Sequence, residues 1–324
     1  MAKTKKVKLN AHFGVGAIFW IEKFKADGTI TQKLGPFHNL VVDNGLDGLA
    51  DTGLERLTAK CHVGTGNAAP TTSDTSLASS VASTTSTHEA WDYGGSASVG
   101  VVAYAWGTRT FEFSIGSATG NLAEVGLSTT GNVFFNRQLF LDDSDNPTTV
   151  TVLSDEGLRV TAEVRVYSDL TYNDGTDTGT FTFDNDGSNE NNGWTRYVYG
   201  AGWSNGYLTR GPITYGGGFT SNDYGFGKIK AKLSTASSND TSGTSPSSVT
   251  HAAYTDGTFT RNTEMTWNTN RFTGTLRRIY LCIYRDSLGY LDQFHALVLD
   301  TPIEVADTDQ VVFTFSVSWG RYTA

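Results

Sequence analysis

From Leu158 to Tyr167 apolar and polar residues alternate without interruption. Leu158, Val160, Ala162, Val164 and Val166 share one face, and Arg159, Thr161, Glu163 and Arg165 share the other. Successive side chains on a strand point to opposite faces, so this period of two predicts a half-buried antiparallel strand. Comparable runs predict strands at 60–64, 99–106, 109–115, 124–128, 133–141, 148–153, 178–183, 258–267, 271–275, 278–284, 294–305 and 311–319. Near the N-terminus, 17–24 and 29–34 flank Ala26-Asp27-Gly28, and Asp-Gly is a favoured hairpin turn.

One segment departs from this period. After the strand-like Asn39–Val42, residues Leu46, Leu49, Ala50, Leu54 and Leu57 fall on nearly one helical face, with Asp43 or Asn44 placed to cap it. Gly48 and Gly53 weaken the helix and limit it to about two turns. The Ser/Thr-rich stretch 71–87 predicts a surface excursion with Leu77 and Val81 tucked inward. Residues 170–193 turn polar and mark a boundary or long insertion, and 234–250 is low in complexity. Segments 111–166 and 271–321 echo each other: a strand, a Gly turn, a strand, a longer strand and a final alternating strand. The expected fold is all-β, with two successive antiparallel β-sandwich-like units and one short helix near 43–57. Its expected divisions are an N-terminal arm and hairpin (1–36), a first β domain (37–168) and a second β-rich domain (169–324), for which the echo leaves a diverged duplication open.

Composition narrows the function classes. Thirty-six glycines and only two methionines among 324 residues favour sheets and turns, and no heptad pattern supports a coiled-coil shaft. A net charge of −9 argues against a nucleic-acid partner, because phosphate binding needs clustered positive charge. The only basic cluster is Lys3, Lys5, Lys6 and Lys8, read as a solvated arm ahead of the first strand. The apolar run behind it (13–21) leads into charged residues with no cleavage pattern, and is too short for membrane insertion. Cys61 and Cys282 lie in apolar strand-like runs and read as buried free thiols; the sequence leaves an intersubunit disulfide open.

Catalytic motifs match only in fragments. Gly202-Trp203-Ser204-Asn205-Gly206 has the nucleophile-elbow spacing, but the helix that must follow is replaced by Tyr207-Leu208-Thr209-Arg210-Gly211-Pro212. Ser144-Asp145-Asn146 lacks its companion motifs, and Gly64-Thr65-Gly66 lacks the lysine of a phosphate loop. No histidine pair has zinc spacing, and the acidic stretches 142–146 and 184–190 read as solvated turns rather than calcium loops. No cofactor is expected. The aromatic band that includes Trp194, Tyr197, Tyr199, Trp203, Tyr207 and Tyr215 can stack sugars, or can fill a core or subunit interface.

Asn39-Leu40-Val41-Val42-Asp43-Asn44-Gly45-Leu46, then Val63-Gly64-Thr65-Gly66 with Pro70-Thr71-Thr72-Ser73-Asp74-Thr75-Ser76-Leu77, resemble a pattern in structural proteins of tailed-bacteriophage virions. Glu124-Val125-Gly126-Leu127 and Gly131 to Arg137 are similar to the element that follows in those domains. The resemblance is best over 37–168. It implies a non-enzymatic tail, collar, fibre or decoration component, assembled in the bacterial host cytoplasm and present in many copies, with other virion proteins as partners. In that setting the arm of Lys3, Lys5, Lys6 and Lys8 is expected to dock on a neighbouring protein. The alternative is a host-surface glycan-binding protein or depolymerase centred on 194–226.

Overall fold

The computed structural model describes residues 4–96, 102–171, 176–185, 188–198, 230–235, 243–284 and 291–322. The N-terminal hairpin forms as the sequence predicts, from β1 (Thr4–Lys25) and β2 (Ile30–His38), but β1 is far longer than expected. Twenty-two residues at ~3.3 Å each span roughly 70 Å. After β3 (Leu40–Val41) come two short helices, α1 (Asp43–Gly48) and α2 (Leu54–Leu57), then β4 (Lys60–Gly64) and β5 (Ser80–Thr84). The chain continues through β6 (Thr87–Ser96), β7 (Val102–Phe113), β8 (Gly120–Leu122), β9 (Glu124–Ser128), β10 (Phe134–Leu139), β11 (Val150–Val152) and β12 (Glu156–Thr171). Its later strands are β13 (Thr176–Asn185), β14 (Ser188–Val198), β15 (Lys230–Ser234), β16 (Ser248–His251), β17 (Thr260–Trp267), β18 (Gly274–Tyr284), β19 (Leu291–Val305) and β20 (Gln310–Arg321). The fold is all-β.

Among the described residues, a large sheet runs β15-β18-β19-β14-β13-β1-β12-β7-β6, with β2 and β20 also on β1 and β17 and β16 continuing from β20. β1 organises it because different stretches of its two edges hold different partners. One edge pairs with β13 at Lys5–Val7 and with β12 from Phe13 to Lys25. The other pairs with β20 from Thr4 to Val15 and with β2 from Ile18 to Phe24. The β1–β20 ladder is parallel, a departure from the antiparallel pairing expected throughout. A second sheet runs β3-β10-β9-β4-β5, and β8 pairs with β11.

The expected boundary at 168/169 falls inside β12, and β1 joins strands from both sides of it. The echo between 111–166 and 271–321 also places its parts differently. β9 and β10 belong to the smaller sheet, whereas β18 and β19 lie in the large one.

Core positions follow the alternation. Phe13, Val15, Ala17, Phe19 and Ile21 of β1, the five apolar residues of 158–167, and Val311, Phe313, Phe315, Val317 and Trp319 of β20 are all buried. So are Leu46, Leu49, Ala50, Leu54 and Leu57, the apolar face expected of the helical segment. The expected cap is absent: Val42 precedes α1 and offers no side-chain hydrogen bond. Asp43 instead forms an ion pair with Arg321.

The free carbonyls at short helix ends need partners, and distant strands supply them. Trp319 Nε1 donates to the Leu46 carbonyl at 2.7 Å, and Arg261 Nη1 donates to that of Ala50 at 3.1 Å. Asp47 accepts from Tyr254 Oη at 2.6 Å and from the Gly257 amide at 2.7 Å. The helical segment is thus clamped by residues near the opposite end of the chain.

Cys61 is buried and unpaired, and burial pushes its thiol well above the ordinary value, against a smaller opposing effect of Arg109. Because the thiolate is the reactive species, Cys61 in a Cys282→Ser variant is expected to resist an aromatic disulfide reagent until the protein is denatured. Stoichiometric labelling of the folded variant would contradict this.

Candidate functional site

The residues behind the sequence pattern converge on one buried ion pair. Glu124, on β9, is fully buried, and Arg137, on the adjacent β10, is almost so. Arg137 Nε donates to Glu124 Oε2 at 2.9 Å, and Nη2 lies at 2.9 Å from the same oxygen. Its other donors reach the Asp74 carboxylate at 2.5 Å and the Ala68 carbonyl at 2.8 Å.

The Glu124 carboxylate also gathers the excursion 65–79. Oε1 accepts from the Gly66 amide at 3.0 Å and the Ser79 amide at 2.7 Å, and Oε2 accepts from the Ala78 amide at 3.0 Å. Thr71 closes the assembly by donating its amide and hydroxyl to Asp74 at 3.0 and 2.7 Å. Burial raises the Asp74 pKa, but these bonds and Arg137 outweigh it and leave the carboxyl below its ordinary range.

The glycines of the pattern have a spatial reason. A Cβ on Gly64 would meet the Ser79 carbonyl and Glu124, and one on Gly66 would strike Glu124 Oε1. Gly64-Thr65-Gly66 therefore lets backbone approach a buried carboxylate, where a phosphate loop would present amides to a ligand. Leu77 is buried as expected, but Val81 is 41% exposed. β5 is the edge of the smaller sheet, and each of its residues is exposed or half-buried.

His62 lies beside this unit on β4. Its Nε2 is 2.7 Å from Ser128 Oγ, and its ring is 4.7 Å from that of Phe134. Burial, with a smaller contribution from Lys60, lowers its pKa from 6.5 to about 4. Between those values the unfolded chain binds a proton that the folded chain rejects. The resulting stability is present above pH 6.5 and is lost as pH falls toward 4, by up to ~3 kcal/mol. Urea titrations at pH 7 and 4.5 are expected to show the loss, and a His62→Gln variant to flatten it. An equal slope in both proteins would refute the assignment.

The face of the large sheet opposite the core carries a second constellation. One cross-strand row aligns Lys33, Glu22, Arg159 and Glu112 on β2, β1, β12 and β7. Lys33–Glu22 is 2.6 Å, Arg159–Glu112 is 2.9 Å, and His88 Nδ1 lies 3.3 Å from Glu112. The adjacent row aligns Trp20, Thr161, Thr110 and Glu89. The two threonine hydroxyls are 2.9 Å apart, and Thr110 donates to Glu89 Oε2 at 3.3 Å. Together with Leu34 and Gly35 these rows line an open groove of about 370 Å³. The polar face of 158–167 was visible in the sequence, but the partners that complete the groove come from strands far apart in the chain.

The residues singled out from sequence fare differently. Lys5 is buried, donates to the Glu304 carbonyl and lies 3.6 Å from Asp309. The backbones of Lys6 and Lys8 pair with Val312 and Thr314. The basic segment from Thr4 onward is therefore an internal strand, which corrects the reading of a solvated arm; Lys3 lies outside the described residues. Trp194 and Tyr197 belong to β14, opposite Leu299 and Ala296 of β19. Tyr199, Trp203, Tyr207 and Tyr215, and with them the 202–206 motif, lie outside the described residues. Asp142 spends its Oδ1 on the amides of Ser144 and Asn146, at 2.9 and 3.0 Å, forming its own turn. Residues 184–185 and 188–190 pair within the β13–β14 hairpin. Among the described residues, no three His, Cys, Asp or Glu side chains are grouped to hold a metal ion.

Comparison of the chain with protein-family models, curated proteins and solved structures returns no match.

Proposed function

We propose that this chain is a non-enzymatic structural component of a tailed-phage virion, acting through protein–protein assembly in many copies. The observation that carries the reading is the fate of the pattern residues. Glu124, Arg137 and Asp74 spend their charge on one another, on Thr71 and on backbone groups. A fully hydrogen-bonded buried ion pair positions chain rather than reacting with substrate. The recurring pattern thereby acquires a mechanical role: it pins a long Ser/Thr-rich excursion to a small sheet. A large sheet that ties both ends of the chain into β1 suits a part that must keep its shape within an assembly.

The test is to purify intact particles and measure the location and copy number of this chain by quantitative mass spectrometry and antibody labelling. The expected result is a fixed, multiple copy number at one position on every particle. Its absence from purified particles would overturn the proposal. Shortening of envelope polysaccharide by the purified protein would overturn the non-enzymatic part alone.

A further inference from the structure

The groove on the outer face of the large sheet has features that the assembly role does not use. Its floor is made of the short side chains Thr110 and Thr161, between the half-buried indole of Trp20 and the exposed carboxylate of Glu89. Its wall is the charged row. That row holds Arg159 rigidly, since Nε is bonded to Glu112 and the guanidinium carbon lies 4.4 Å from the centre of the Phe24 ring.

Several polar atoms remain uncommitted. Among the described residues, the Arg159 Nη groups, the Trp20 indole N–H, Glu89 Oε1 and His88 Nε2 have no hydrogen-bond partner. Donors and acceptors therefore converge on a space at the small end of the range for small-molecule pockets.

Charge decides the ligand class. The lysine and arginine of the groove are each paired with a glutamate, and Glu89 adds one further carboxylate. A phosphate or carboxylate ligand would face that excess of negative charge, while a cation would find one uncommitted carboxylate oxygen, on Glu89, in a groove that also holds the Lys33 and Arg159 cations. A wholly apolar ligand would leave the arginine and glutamate desolvated and unpaired, which costs free energy. An uncharged polyhydroxyl ring meets each demand. Its hydroxyls can donate to Glu89 and accept from Arg159 and the indole N–H, and its C–H face can rest on Trp20.

We propose that the groove between Trp20 and Glu89 is a binding site for a neutral saccharide unit. The described residues that line it come from β1, β2, β6, β7 and β12, and the site is independent of the assembly role because it needs only the folded sheet.

The test uses the full-length protein with maltose, cellobiose and N,N′-diacetylchitobiose as probes, followed by saturation-transfer NMR and titration. The expected result is saturation transfer to at least one disaccharide, with binding weakened about tenfold or more in Trp20→Ala and in Glu89→Gln. Both positions are partly or fully exposed, so the variants are expected to keep the wild-type circular dichroism spectrum. Inorganic phosphate is expected not to compete. Absence of transfer to all three sugars would overturn the proposal, as would binding that persists unchanged in both variants. Particle localisation tests the assembly role separately, so either reading can fail alone.

Discussion

Replacing Arg137 with alanine is expected to lower the unfolding free energy by about 3–5 kcal/mol, a large fraction of a domain's stability. The loss comes less from the missing attraction than from what is left behind. Glu124 would remain fully buried with its charge balanced only by three backbone amides, and the Ala68 carbonyl would lose its donor. Asp74 would lose its anchor to β10, releasing the turn that it forms with Thr71. Urea unfolding followed by circular dichroism measures the effect. A lysine keeps the charge but cannot reach Glu124, Asp74 and Ala68 together, so Arg137→Lys is expected to fall between wild type and alanine. A loss below about 1 kcal/mol in the alanine variant would mean that the pair is not the pin described here.

Deleting residues 1–12 is expected to lower the thermal unfolding midpoint and to drive aggregation. The deletion removes the partners of β20 from Gln310 to Ser318 and, among the described residues, the pairing of β1 with β13. In the sheet order, β13-β1 is the link between β15-β18-β19-β14-β13 and β1-β12-β7-β6. β20 would keep β17 on its other side, but most of its length would become an open edge. An exposed edge strand with an apolar face invites pairing between chains. Size-exclusion chromatography and thermal circular dichroism read the result. A truncated chain with the wild-type elution volume and melting midpoint would show that this segment is dispensable, as a solvated docking arm would be.

β4 and β9 begin and end where the hydrophobic pattern places them, because both are short and buried along nearly their whole length. The alternation at 158–167 gives the correct inner face, since a buried sheet face tolerates no slip of one residue. Residues 102–113 were less readable. A break was expected before Arg109, yet β7 runs through Gly107, which pairs with Val164 on one side and Tyr93 on the other. Hydrogen-bond partners on both edges outweigh the weak strand preference of glycine.

The site shows the same division. Gly64, Gly66, Glu124 and Arg137 stand out in the sequence as a pattern, but nothing local says that one carboxylate gathers three amides across 66–79. The groove was invisible as a unit, because Trp20, Glu89 and Arg159 meet only through the registers of β1, β6, β7 and β12.

By itself, then, the sequence determined the all-β character, the inner faces of individual strands and the apolar face of the helical segment. These follow from local periodicity and from the area each residue can bury. The tertiary structure alone decided that the lysine-rich N-terminus is an internal strand paired in parallel with the C-terminal strand. It also decided that α1 is held by Trp319, Tyr254 and Arg321 rather than by its own cap. Pairings between residues some three hundred positions apart leave no local trace, because register depends on which edges remain unsatisfied once the rest of the chain has folded.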